Sequence, residues 1–154
     1  MKRKSMSSVN MIQSLMLTVL LLGGSSAVMS ASAGDLVFQG DASFHGAHGG
    51  QAIQVAVVES DTGKVVAKQS GTVSKTAEPS FSFTFPGVLE AGKSYEVHYW
   101  IDSNFGGGTV GHCDDKSHDH QWNVSLGKVD GSNMTHTEKH RPAETSDVCK
   151  TFNM

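Results

Sequence analysis

The sequence predicts an all-β domain, a single antiparallel β-sandwich of about seven strands. Two observations carry this. Apolar residues recur every second position in short runs, and turn-forming residues separate the runs. Helical periodicity is nearly absent after residue 33.

The elements follow in order. "DLVFQGDASF" places Leu36 and Phe38 on one side, and in "AIQVAVVES" Ile53, Val55 and Val57 share a face. "DTG" is a turn, and "KVVAKQSGTV" is the returning strand of a hairpin. In "PSFSFTFPG", Phe81, Phe83 and Phe85 alternate with Ser82 and Thr84, which suits a sheet with one buried face, and Pro79 and Pro86 bracket the run. After the turn "EAGK", Tyr95, Val97, Tyr99 and Ile101 form one face and Glu96, His98, Trp100 and Asp102 the other. "HQWNVSL" aligns Trp122, Val124 and Leu126, and "NMTHTEKH" reads as the last strand. The run "FTFPGVLEAGKSYEVHYWID" resembles strand–turn–strand segments of small immunoglobulin-like or transthyretin-like sandwich domains. The resemblance covers about twenty residues and implies a fold class only.

Residues 1–33 read as a secretory signal peptide and residues 34–154 as the domain. Lys2, Arg3 and Lys4 precede the apolar run "MIQSLMLTVLLLGG", and Ala31-Ser32-Ala33 matches an A-x-A cleavage pattern. An uncleaved N-terminal anchor is the alternative. The leader holds three of the twelve basic residues and no acidic ones, so the mature part has nine against fifteen, a net charge of −6 with neutral histidines. Such a chain suits neither nucleic acid nor an anionic membrane surface, and attracts cations. A secreted or periplasmic location is expected, with no membrane association after cleavage. The two cysteines, Cys113 and Cys149, are expected to form one disulfide closing a loop of about 36 residues. The alternative makes Cys113 a thiolate metal ligand.

All eight histidines lie in the mature part. His118 and His120, in "GHCDDKSHDHQW", face the same way on an extended backbone, where two imidazoles reach one ion. Asp119 points the other way, while Asp114 and Asp115 can ligate or orient an imidazole. His45 and His48 are three apart in a glycine-rich loop, His98 shares its face with Trp100, and His112 adjoins Cys113. The candidate ligands are therefore His118, His120, His112, His45, His48 and His98, for copper or zinc. His136 reads as a core histidine and His140 as exposed. Calcium is a weaker expectation: Asp102-x-Asn104 starts like a calcium loop, but the rest of that spacing is absent.

No G-x-S-x-G, H-E-x-x-H or C-x-x-C-H occurs, so no catalytic arrangement is indicated. A disulfide would also remove the thiolate that blue copper needs. The sequence thus reads as an exported, non-enzymatic metal buffer, carrier or chaperone, whose affinity falls as pH drops through about 6.5. The alternative is a structural or adhesive module binding a protein partner through the Trp100 face.

Overall fold

A computed structural model describes residues 33–153. The expected leader falls almost wholly outside the described residues. Between them, two sheets account for most of the regular structure. One holds β4 (Phe81–Leu89), β1 (Gly34–Gly40) and β7 (Met134–Glu138) in that order. The other holds β3 (Lys64–Thr72), β2 (Ala52–Glu59), β5 (Ser94–Ile101) and β6 (His120–Lys128). A one-turn α1 (His45–His48) follows a 3-10 turn at Ala42–Phe44, and a second 3-10 turn spans Cys149–Thr151. Among the described residues no helix is long and apolar enough to cross a membrane.

The period-two faces are the buried ones. Phe81, Phe83 and Phe85 alternate with exposed neighbours, and Tyr95, Val97, Tyr99 and Ile101 all point into the core. Phe38 of the first sheet meets Tyr99 of the second with ring centroids 5.3 Å apart, so both inner faces feed one core. β4 continues through Pro86 to Leu89 instead of stopping at it. It is an edge strand, and its pairing with β1 shifts register there, so the missing proline N–H costs the ladder little.

One pairing departs from the antiparallel expectation: β7 runs parallel to β1, from Leu36↔Met134 to Gly40↔Glu138. β6 ends in the opposite sheet, and the chain crosses over to the end where β1 begins. There the amide of Asp35 donates to Asn133 Oδ1 at 2.9 Å. Gly34 permits the approach, since a Cβ would lie 2.2 Å from the Ser132 carbonyl oxygen. β7 thus starts beside the start of β1 and runs the same way.

The Trp100 face is also corrected. Trp100 is 2 % exposed, because the C-terminal tail crosses the outer face of β5 and sets Phe152 against it, with centroids 6.3 Å apart. Thr151 Oγ1 lies 2.7 Å from His98 Nδ1 on the same face. A surface for a protein partner is therefore missing at Trp100.

The tail is held by the Cys113–Cys149 disulfide and by Gln121. That buried amide donates to the Asp114 carbonyl at 2.6 Å and accepts from the Val148 amide at 3.0 Å. Replacing both cysteines by alanine is expected to cost about 3–4 kcal/mol in urea unfolding. It should also red-shift tryptophan emission as Trp100 loses its cover.

Candidate metal centre

Three imidazoles meet at one end of the core. Nε2 of His48 lies 3.0 Å from Nε2 of His140 and 2.9 Å from Nδ1 of His120. The three nitrogens all fall within 4.8 Å of one another. Nitrogens bound to one ion at about 2.0–2.1 Å stand roughly 3.3 Å apart in a tetrahedron and roughly 2.9 Å apart at right angles. The spacing about His48 is close to both.

Each histidine is delivered by a different part of the chain. His48 closes α1 and is fully buried. The helix must stop at once, and Gly49 and Gly50 allow it: a Cβ on Gly49 would lie 2.5 Å from the His45 carbonyl oxygen, and Gly50 has φ +93°. The chain then returns so that Gln51 Oε1 sits 2.6 Å from His48 Nδ1. An amide oxygen only accepts, so the proton resides on Nδ1 and the Nε2 lone pair faces the other two rings. This outer hydrogen bond is the usual device that orients a ligating histidine. His120 opens β6 opposite Ile101 and lies two residues before Trp122, on the inward face. His140 follows β7, and its backbone amide donates to Ser43 Oγ at 2.9 Å.

Aromatic side chains wall the cluster. The Trp122 ring stands 5.4, 6.1 and 5.9 Å from His120, His48 and His140, in each case steeply inclined to the imidazole. Phe44 packs against His48 and His140, and Phe105, 44 % exposed, covers His120 at 4.9 Å. Burial holds all three imidazoles below their ordinary pKa. For His48 the value falls to about 4, against the pull of the Gln51 hydrogen bond. His120 and His140 are shifted the same way, with burial the largest cause in each. Burial thus favours the neutral form of each ring, most strongly at His48, and a neutral imidazole keeps a lone pair open to a cation. One lone pair on His48 Nε2 faces two neighbouring nitrogens, a crowding that a central cation relieves.

Of the six histidines expected from the sequence, the structure brings together His48 and His120. The other four lie apart from them. His118 Nδ1 donates to the Phe105 carbonyl at 2.7 Å and His45 Nε2 to the Ala77 carbonyl at 2.8 Å. His112 is exposed beside Asp114, and His98 stands between Glu96 and Thr151. His140 escaped the sequence reading, since its partner His48 is 92 residues away. No local spacing signals such a pair.

The acidic residues of "GHCDDKSHDH" organise their own loop. Asp119 is fully buried and accepts from the amides of Ser103, Asn104 and Asp114 at 2.9, 3.1 and 3.0 Å. Asp102 accepts from the Gly111 amide at 2.8 Å and from the Asn104 side chain, and Asp114 accepts from the Thr109 amide. Among the described residues no carboxylate joins the three imidazoles, and the carboxylates proposed for calcium serve as acceptors for backbone amides. The chain matches no family model, no curated protein and no solved structure, so the site is assigned by its chemistry.

The buried imidazoles set a pH dependence of the metal-free protein. An unfolded histidine takes its proton near 6.5, while folded His48 resists until about 4. The unfolded state therefore binds more protons in this window, and stability falls as pH is lowered from 6.5 to 4. The loss at His48 alone is on the order of 3 kcal/mol. Urea midpoints at pH 7 and 4.5, compared between the protein and His48→Gln, should show a markedly smaller pH effect in the variant.

Proposed function

We propose that the protein is an exported metal-binding protein, a buffer, carrier or chaperone for copper or zinc. The observation that carries this reading is the convergence of His48, His120 and His140, with His48 oriented by Gln51. Three imidazoles whose nitrogens converge on one point suit either metal. We read the two sheets as one β-sandwich, immunoglobulin-like or transthyretin-like, occupying residues 34–154 after removal of a signal peptide over residues 1–33. The contact of Phe38 with Tyr99 across the sheets supports the sandwich. The disulfide supports a secreted or periplasmic location, where oxidising conditions preserve it. A non-enzymatic role agrees with the sequence, in which no catalytic motif occurs.

Calorimetry on the disulfide-bonded protein at pH 7 is expected to give one copper(II) or zinc(II) ion per chain with sub-micromolar affinity. Binding should vanish in His48→Ala/His120→Ala/His140→Ala and persist in His112→Ala/His118→Ala. Copper(II) should also quench Trp122, whose ring lies within about 6 Å of each imidazole. Binding that survives the triple variant, or disappears in the double one, would overturn the assignment.

A further inference from the structure

We propose that the ion this site is built to hold is cuprous copper, Cu(I), in preference to zinc(II) or copper(II). The inference rests on the metal-binding reading above and goes further in choosing the charge state of the ion.

The choice follows from the charges around the cluster. All three donors are neutral imidazoles, and among the described residues no carboxylate or thiolate stands with them. The disulfide takes both sulfurs. The two buried carboxylates of this region are already spent. Asp119 accepts three backbone amides on the far side of β6. Glu138 is paired with Arg141, whose Nε and Nη2 donate to it at 3.0 and 2.6 Å, and it stands 3.0 Å from His136 Nε2. Asp119 acts on His120 through space, but among the described residues no anion joins the donor set itself.

The surroundings make that deficit costly. His48 is fully buried, and Trp122 and Phe44 pack against the rings. The desolvation cost of an ion in an apolar setting grows with the square of its charge, so an uncompensated divalent ion costs roughly four times as much as a monovalent one. Zinc bound by three protein ligands also requires a fourth, a water or an anion. Cu(I) has a filled d shell, a single charge and a liking for three neutral nitrogen donors, so the three imidazoles alone complete its coordination.

The test is an anaerobic competition for Cu(I) against bicinchoninate on the disulfide-bonded protein. Ascorbate keeps the copper reduced and leaves the disulfide intact. Parallel titrations use zinc(II) and copper(II). One Cu(I) per chain is expected, held at least roughly 100-fold more tightly than zinc(II) and retained against a ten-fold excess of it. His140→Ala should weaken Cu(I) by more than about 100-fold, beyond what loss of an outer partner costs, with its fold checked by urea unfolding. His112→Ala should bind as the parent does. Displacement of Cu(I) by zinc(II), or tighter binding of either divalent ion, would overturn the Cu(I) assignment and leave the metal-binding reading standing. Failure of all three ions to bind would overturn both.

Discussion

Trp122 ties together the three segments that carry the clustered histidines. The Trp122 ring stacks on Tyr99 at 4.8 Å and 17°, which roots it in the layer where the two sheets meet. Its indole N–H donates to the Arg141 carbonyl at 3.0 Å, which holds the segment after β7 beside β6 although the two strands belong to different sheets. Phe44 meets Trp122 edge-on at 6.3 Å, and Phe44 immediately precedes α1. One side chain therefore touches all three segments that deliver a histidine. The aromatic layer fixes the backbones that carry the imidazoles, so the rings need not hold one another in place.

The inner faces of the strands were plain in the sequence because sheet geometry writes them there. Phe81, Phe83 and Phe85 alternate because successive side chains leave opposite faces, and no tertiary knowledge is needed to see it. His120 was visible for the same reason, since it continues the parity of Trp122 and Val124. The disulfide was visible from cysteine count alone. What stayed hidden depended on topology. That β7 lies parallel to β1 is decided by the crossover near Ser132, and only this pairing brings His140 to the end of β1 where α1 begins. The cover over Trp100 is hidden for a like reason, because Phe152 reaches it only through the path that the disulfide and Gln121 impose on the tail.

The most conspicuous stretch, "GHCDDKSHDHQW", is informative in an unexpected way. Its acidic residues look like ligands, but the loop from Asp102 to Asp119, with four glycines, leaves many backbone amides unpaired by strands. Asp102, Asp114 and Asp119 accept from those amides, and so the carboxylates are consumed in shaping the loop. His118 does the same from the donor side, tying Phe105 in place over His120. The stretch is thus mostly the frame of the cluster, and one of its three histidines, His120, joins it.

Burial also explains why this frame is so elaborate. A solvent-exposed cluster of histidines would repel itself as it titrates and would open near neutral pH. Here burial disfavours the protonated state of all three rings, most strongly at His48. The energetic cost of packing unprotonated imidazoles is borne by the aromatic core and by the tail clasped across the other face of β5 and β6. Gln121 and Trp122 are adjacent on β6 and point oppositely: the amide fastens the loop and tail outside, while the indole fastens the histidines inside. The anchor of the tail and the wall of the site are thus neighbours on one strand. The Cys113–Cys149 disulfide fixes that tail to the loop before β6.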